Sequence, residues 1–437
     1  MLYQRLPIAN ATLWSILAGA LLLPVETAVD LPLIPPLNKA SVPNLAALFV
    51  CQFIIGKRIK LLPKLGAVKW LLFAYILSPF VTALLNSDPV IAGPRFIKSI
   101  EYYDALSAVI RQIIFIIPFL LGMNLLRNAN EHEVLLRVLV VAGVFYSFPM
   151  LLEVRLSPQL HKWIYGLSPR GFGQQIRNGG FRPVVFLGHG LWVAFFTMSS
   201  VVASAVFWKN RRTIFGYSSG FILIYLGIVL FFCKSMASII YAIFIVSLVC
   251  CIKPNTQVKL AKFIVIFVLI FPLMKIGNYF PGNEMVNVIA EYNEKRAESL
   301  LFRLKNEDLL LSRARERLFF GWGSWGRNRV YDNKTGKDLS VTDGRWIIVL
   351  GEYGLIGYLA EFGLLALSVT RCFRVIRYVN NNSERVILGG LSLLMAISMV
   401  DLLPNASVTP WTWLLAGALI GRVEQIKLNR KKNFAKK

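Results

Sequence analysis

Two neighbouring stretches of this chain, 214–233 and 235–252, contain no charged residue and consist mainly of apolar side chains. A helix needs about 20 apolar residues to cross the hydrocarbon core of a bilayer, so these runs predict membrane-spanning helices. The strands of a membrane β-barrel would instead show short segments of alternating hydrophobicity. Only 16% of all residues are charged, against about 25% in a typical soluble domain, which extends the membrane prediction to the whole chain.

Apolar length and flanking charge predict an all-α, polytopic membrane protein with about twelve transmembrane helices in a single integral membrane domain over 1–437. The expected spans are 11–28, 42–55, 67–85, 105–126, 135–152, 183–207, 214–232, 235–251, a ninth that ends near Tyr279, 346–370, 386–402 and 410–420. The first run lacks a small-residue cleavage site, so we expect no cleavable signal peptide. The five cysteines lie in or beside apolar runs without metal-ligand spacing and are expected to be packing residues.

The chain carries 48 Lys and Arg against 23 Asp and Glu, a formal net charge of +25. No nucleic-acid-binding module accompanies these cations, and we expect no nucleic-acid partner. Many of them lie in short links and in the C-terminal tail, where basic residues mark the cytoplasmic side and meet anionic membrane lipid. Their alternation predicts that both termini are cytoplasmic. Two long loops, 153–182 and 281–345, would then lie on the opposite face.

The first long loop leads into a glycine-rich stretch, 170–190, whose three arginines are Arg170, Arg177 and Arg182. No Asp or Glu occurs between Glu153 and Glu284, so no residue nearby in the sequence neutralises them. A guanidinium presents a rigid fork of donors that suits phosphate, and glycine lets backbone amides approach the same anion. The stretch therefore predicts a site for a polyanionic ligand. The alternative is a loop that rests on lipid headgroups.

The second long loop contains a predicted amphipathic helix over 292–320, because leucines recur there at helical spacing with charges between them. The glycine-rich run 321–326 is expected to end this helix. An interfacial helix that lies on lipid is the alternative. Arg313, Arg315 and Arg317 follow one another at a spacing of two, so at most two of them can point into one site.

Three groups of residues carry a resemblance to a known family. Arg177 is followed by ten residues and then by Gly188. The run Cys233-Lys234-Ser235-Met236-Ala237 follows a predicted span. Further on come Gly321-Trp322-Gly323, then Asp343-Gly344-Arg345-Trp346-Ile347, and then Leu350-Gly351-Glu352-Tyr353-Gly354-Leu355-Ile356-Gly357. In their order and topology these groups resemble the bacterial O-antigen ligase and O-antigen polymerase superfamily, across 177–363.

The resemblance implies metal-independent transfer of a glycan from undecaprenyl diphosphate, with no cofactor and with basic residues that hold the diphosphate. It implies a chain-length regulator or export machinery as partners. The basic residues that it singles out are Arg170, Arg177, Arg182, Lys234, Arg313, Arg315, Arg317 and Arg345. Cations held in a partly dry site can stabilise a diphosphate leaving group without a metal ion, whereas a metal-dependent transferase would need carboxylates near the phosphate. The segment 154–283 contains none.

The chain departs from the family at two places. Lys234 stands where the family usually has arginine, and Asp343 and Gly344 stand where it usually has His-Asn. We therefore expect Asp343 to be the general base, kept ionised by Arg345, with a helix-capping Asp as the alternative. His189 is the second candidate, with a packed, hydrogen-bonded histidine as the alternative. Lys234 is expected to contact diphosphate, with snorkelling to the interface as the alternative.

The leading hypothesis is an inverting glycosyltransferase that polymerises lipid-linked oligosaccharide repeat units at the periplasmic face of the bacterial inner membrane. An O-antigen ligase that transfers the glycan to lipid A–core or another acceptor is the alternative, disfavoured because the ligase-type histidine is absent. A lipid-linked oligosaccharide transporter or flippase is the rival class. It would show two related halves, broken helices and ionisable groups near the midplane. Arg111 and Asp401 are the charged residues inside predicted spans that bear on it.

Overall fold

The computed structural model describes residues 1–31, 34–63, 66–167, 171–177, 179–406 and 408–434. Arg170, one of the expected site residues, lies outside the described residues. Helices make up 71% of the chain. Among the described residues, sheet is confined to four two-stranded hairpins. The protein is therefore all-α, as the apolar runs predict.

The helices up to the middle of the chain are α1 (Leu2–Arg5), α2 (Ile8–Leu22), α3 (Ser41–Phe49), α4 (Gly66–Leu84), α5 (Tyr102–Leu125), α6 (Ala129–Leu156), α7 (Leu160–Tyr165) and α8 (Gly190–Lys209). Those that follow are α9 (Ser219–Phe232), α10 (Met236–Cys251), α11 (Pro254–Ile276), α12 (Gly282–Tyr292), α13 (Glu294–Glu316), α14 (Arg345–Val375), α15 (Asn382–Asp401) and α16 (Pro410–Phe434). The hairpins are β1 (Ala28–Leu31) with β2 (Ile34–Asn38), β3 (Val90–Ala92) with β4 (Arg95–Ile97), β5 (Ile176–Arg177) with β6 (Gly180–Phe181), and β7 (Thr213–Ile214) with β8 (Tyr217–Ser218).

Seven helices of the described residues are long and apolar enough to cross a membrane. They are α4, α5, α6, α8, α11, α14 and α15. Shorter apolar helices lie at Ile8–Leu22, Ser41–Ile54, Ser219–Phe232 and Met236–Cys251. The expected count of twelve spans stays a prediction. The seven long apolar helices indicate a membrane-embedded protein.

The segments between the long helices differ in detail from the expected loops. The segment between α11 and α14 holds two helices, α12 and α13, instead of the single helix expected over 292–320. Asn293 separates them, because its side chain accepts a hydrogen bond from the amide of Arg296 and so caps α13. α13 ends at Glu316, before the glycine-rich run.

Close packing of α5 against α16 depends on small residues. A Cβ added to Gly417 or Gly421 of α16 would meet backbone atoms of Phe119 or Met123, and one added to Gly122 of α5 would meet the carbonyl of Leu414. Small residues let transmembrane helices approach until their backbones touch. α14 contacts α4, α11, α15 and α16 and so occupies the centre of this part of the protein.

α14 is broken at Gly354, which has φ 67° and ψ −167°. Arg345 Nε and Nη2 each donate a hydrogen bond to Glu361 at 2.7 Å, although both residues belong to α14. A straight helix would separate these two residues by about 24 Å, which the two side chains cannot bridge. The two halves of α14 are therefore folded towards each other at Gly354.

The segment 318–323 satisfies the backbone groups that the break leaves without helical partners. Trp322 N and Gly323 N donate to the carbonyls of residues 351 and 352, at 2.8 and 2.9 Å. In return, Leu355 N and Ile356 N donate to the carbonyls of residues 318 and 319, at 2.8 and 3.2 Å. A broken helix is tolerated at membrane depth only where such partners exist. The segment 318–323 is therefore part of the helical body.

The first long loop is attached to α6 by one carboxylate. Glu153 is 1% exposed and accepts hydrogen bonds from three backbone amides: Leu160 at 3.0 Å, Val184 at 2.8 Å and Val185 at 2.7 Å. A buried carboxylate would be costly without such donors. Its bonds fix the chain that leaves Arg182 and leads to α8.

We expect Gly354→Ala to lower the stability of the protein by about 1–3 kcal/mol, because its backbone conformation is essentially restricted to glycine and an added Cβ would meet the Phe319 backbone. Thermal unfolding in detergent measures the effect. Gly227→Ala in α9 is the matched control, since a Cβ there meets nothing within 4 Å. An equal response of both variants would contradict the packing described for the break.

Candidate functional site

Three basic residues from the first long loop and from the α9–α10 turn lie together. Arg177 ends β5, Arg182 follows β6, and Lys234 lies in the turn after α9 with φ 50°. Lys234 Nζ donates to the Arg177 carbonyl at 2.9 Å, and Arg182 Nη2 donates to the Lys234 carbonyl at 2.9 Å. We call these three residues the cation cluster.

The cation cluster has no acidic partner. Within the described residues, none of its three side chains forms an ion pair with a carboxylate. Arg182 is only 5% exposed, and its Nε has no hydrogen-bond partner. Burial, with the charge of Arg177 as a second cause, lowers the pKa of Arg182. Burial of charges of one sign costs free energy unless an opposite charge pairs with them. This arrangement therefore suits an anionic ligand.

Two glycines and a glutamine complete the surroundings of the cation cluster. A Cβ added to Gly190 would meet the Arg182 side chain, and one added to Gly180 would meet Lys234 Nζ. Gln175 is 2% exposed, and both polar atoms of its side chain lack hydrogen-bond partners. Buried polar groups are nearly always paired in proteins. The unpaired amide therefore adds donors and an acceptor to the same location.

His189 caps the N-terminus of α8 beside the cation cluster. Its Nδ1 accepts a hydrogen bond from the Leu191 amide at 3.1 Å, so Nε2 carries the proton and donates to Gln174 Oε1 at 3.2 Å. Burial lowers the pKa of His189, and the charges of Arg182 and Arg177 lower it further. His189 is therefore a neutral, hydrogen-bonded side chain here, and its catalytic role stays a prediction.

The arginines at the end of α13 point in different directions. Arg313 and Arg317 both lie over the ring of Trp322, with the guanidinium carbons 3.3 and 4.0 Å from the ring centroid. Arg315 instead donates to the carbonyl of Ile276 at 2.6 Å. Two of the three therefore share one location, in agreement with their spacing in the sequence.

Both arginines over Trp322 are already paired with acids. Arg313 forms an ion pair with Glu316 at 2.8 Å, and Arg317 Nη2 donates to both oxygens of Asp88 at 3.0 and 2.8 Å. Burial acts to raise the pKa of Asp88, but the hydrogen bonds from Arg317, a backbone hydrogen bond and the charges of Arg317 and Arg327 together outweigh it and hold the pKa below its ordinary value. Arg317 therefore holds the second long segment against the α4–α5 connection, whereas the pair of Arg313 lies within α13.

A second polar group surrounds the break in α14. Arg111 donates to Ser324 Oγ at 2.9 Å and to the hydroxyl of Tyr353. Arg345 is held by Glu361, as described above, and Glu352 acts electrostatically on both Arg111 and Arg345. The ion pair of Arg345 is made by Glu361. We call Arg111, Ser324, Arg345, Tyr353 and Glu361 the break group.

Asp343 lies immediately before α14 and is exposed. Gly344 occupies the N-cap position of α14, so Asp343 does not cap this helix. Within the described residues, no hydrogen bond or ion pair involves its side chain. Asp343 is therefore accessible, and its role as general base stays a prediction.

The structure brings together only part of the expected site. Arg177, Arg182, Lys234 and His189 are neighbours, whereas Arg345 belongs to the break group. No hydrogen bond or ion pair of the described residues joins the cation cluster to the break group. Sequence analysis gives Arg111 only as a charge in a span and does not predict the break, although Gly354 within the glycine-rich run 351–357 of an apolar helix is a signal for one. In the described part of the chain, no group of three or more His, Cys, Asp or Glu could hold a metal ion.

Comparison with models of known protein families and with curated proteins finds no match for this chain. The resemblance to the O-antigen ligase and polymerase superfamily therefore depends on the quoted residues alone.

We expect inorganic diphosphate to raise the pKa of His189, because an anion on the cation cluster offsets the charges that lower it. Arg177→Ala should also raise this pKa without any ligand, since it removes one like charge. NMR titration of the three histidines, with ¹⁵N-labelled imidazoles, measures both effects. Unchanged His189 titration in saturating diphosphate would contradict an anion site here, and Arg155→Ala, an exposed arginine of α6, is the matched control.

Proposed function

We propose that this protein is an inverting, metal-independent glycosyltransferase that polymerises oligosaccharide repeat units linked to undecaprenyl diphosphate. The observation that carries the proposal is the cation cluster, three basic side chains without an acidic partner among the described residues. A membrane protein has little reason to hold such charges in a partly buried position unless an anion binds to them. A diphosphate attached to a membrane lipid supplies that anion at the membrane surface.

The reaction breaks the bond between the anomeric carbon of the donor glycan and the diphosphate oxygen, whose electron pair stays on the diphosphate. A hydroxyl of the acceptor glycan attacks the opposite face of that carbon and loses its proton to a base. Arg177, Arg182 and Lys234 stabilise the negative charge that develops on the leaving diphosphate. We assign the base to Asp343, which is accessible, and keep His189 as the second candidate.

We propose the bacterial inner membrane as the location, with twelve spans and both termini in the cytoplasm. The basic links between helices support this orientation. In this orientation the cation cluster lies on the periplasmic side, as do the segments between α6 and α8 and between α11 and α14. Lipid-linked glycans are polymerised on that side in the superfamily that the chain resembles.

A transporter of lipid-linked oligosaccharides is the second candidate, and the break in α14 favours it. Broken helices and ionisable groups inside the helical body mark the substrate sites of many transporters. Arg111 and the Arg345–Glu361 pair lie at such a break. Glycosyl transfer remains the leading proposal because three cations without an ion pair lie together at the cation cluster, whereas in the break group Arg345 is paired with Glu361 and only Arg111 lacks an ion pair among the described residues.

The deciding experiment incubates purified protein with undecaprenyl-diphosphate-linked repeat units in EDTA and resolves the products by chain length. We expect a ladder of products from the unmodified protein. Arg177→Ala should lower its formation by about 10²-fold, the usual loss when one preorganised donor is removed from a developing oxyanion. Arg155→Ala is the charge-matched control and should retain the ladder.

Each other outcome points elsewhere. Unchanged donor, together with movement of a fluorescent lipid-linked saccharide across liposomes that contain the protein, would favour the transporter. A ladder that Arg177→Ala and Arg182→Lys leave intact would show that the cation cluster is not the diphosphate site. Arg182→Lys is used because it preserves a cation at this buried position.

A further inference from the structure

A polar cavity of about 690 Å³ lies between the β3–β4 hairpin and the segment that follows α13. Arg327 fixes the floor of this cavity. It is 1% exposed and donates to the carbonyls of Trp322 at 3.1 Å, Lys98 at 2.6 Å and Asp88 at 2.8 Å. Arg327 thereby joins the segment after α13 to both sides of the β3–β4 hairpin, so the cavity is built by the fold.

The walls of this polar cavity combine cations and an aromatic ring with one acid, Asp104, whose carboxylate accepts a hydrogen bond from the Glu101 amide at 3.0 Å. Arg95 and Lys98 are exposed, and neither forms an ion pair with a described residue; Arg95 lies over the ring of Tyr331, 4.5 Å from its centroid. Trp325 also lines the cavity, is 53% exposed and has φ 59°. A positive φ is a genuine outlier for a bulky side chain, and such strain collects at ligand-binding positions.

An apolar groove of about 420 Å³ adjoins the polar cavity, because Ser99 and Ile100 line both. The groove lies between the end of α4 and the start of α5, with Phe80, Leu84 and Tyr102 among its lining residues. Trp70, Phe73, Leu77, Phe80 and Leu84 of α4 are between 40% and 68% exposed and recur at the spacing of one helix face. The groove therefore continues the face that α4 turns towards lipid.

We propose that the polar cavity and the apolar groove form one cleft that binds a second lipid-linked saccharide. Its prenyl chain enters the groove from the bilayer, its diphosphate lies near Arg95 and Lys98, and its sugars pack on Trp325. The apolar face of a sugar ring packs well on an indole ring, and its hydroxyls stay in water. This inference rests on the proposed function, because it gives the polymerase a binding site for the second of its two substrates, separate from the cation cluster.

The test uses a disaccharide linked to undecaprenyl diphosphate, with a photoreactive diazirine in the prenyl chain. The whole protein is placed in nanodiscs, irradiated and digested, and the labelled peptides are mapped by mass spectrometry. We expect adducts in two regions, one at 80–105 and one near the cation cluster. Phosphatidylglycerol with a diazirine in its acyl chain is the parallel probe for ordinary bilayer lipid.

Variants assign each labelled region. Ser99→Trp fills the junction of cavity and groove and should lower labelling at 80–105 at least fivefold. Leu85→Trp, at an exposed residue that lines neither cavity, is the matched control and should leave the labelling unchanged. Trp325→Gly removes the indole, and glycine accepts its positive φ without strain, so this variant should fold and lower the labelling.

The outcomes separate the two proposals. Labelling only near the cation cluster, removed by Arg177→Ala, would overturn the second site and leave the proposed function standing. Equal labelling of 80–105 by the phosphatidylglycerol probe would show that bilayer lipid fills the cleft, and would also overturn it. No specific labelling of either region would count against the proposed function itself.

Discussion

The requirement that every backbone group inside an apolar medium be hydrogen-bonded governs the centre of this protein. α14 contacts four other long helices, yet it gives up its own hydrogen bonds around Gly354. The segment 318–323 supplies replacement hydrogen-bond partners. It belongs to the long segment after α11 but packs within the helical body. The ion pair between Arg345 and Glu361 then closes the two halves of α14 on each other. Loss of this exchange would leave several buried amides and carbonyls unpaired, each at a cost of about 1–3 kcal/mol.

Electrostatics divides the arginines on the proposed periplasmic side into two kinds. Arg317 and Arg345 are paired with carboxylates: Arg317 joins the end of α13 to the α4–α5 connection, and Arg345 joins the two halves of α14. Among the described residues, the side chains of Arg182 and Lys234 donate only to backbone carbonyls, which orients them without neutralising them, and the Arg177 side chain has no carboxylate partner. Pairing therefore separates arginines that hold the fold from those available to an anion. The number of arginines alone would not do so.

The proposed reaction needs a donor and an acceptor, and the structure offers two separate places of suitable chemistry. The cation cluster lies beside the start of α8, whereas the cleft with Trp325 lies between the α4–α5 connection and the segment after α13. The break group adds a third polar region inside the helical body. The break in α14 also suits a transporter, because non-helical backbone lines the substrate paths of such proteins.

Much of the architecture follows from the sequence alone. Uncharged runs of membrane-spanning length determine where helices form, since a backbone in lipid must pair within itself. The spacing of Arg313, Arg315 and Arg317 determines that they diverge, and the absence of acids between Glu153 and Glu284 leaves the first loop positively charged. Only the tertiary structure decides which charges are neutralised. Asp88 and Arg317 are 229 residues apart in the chain and meet at 2.8 Å, and Glu361, not Glu352, pairs with Arg345. Ion pairs of this kind depend on which segments pack against each other in the folded protein. The local sequence pattern does not determine which segments do so.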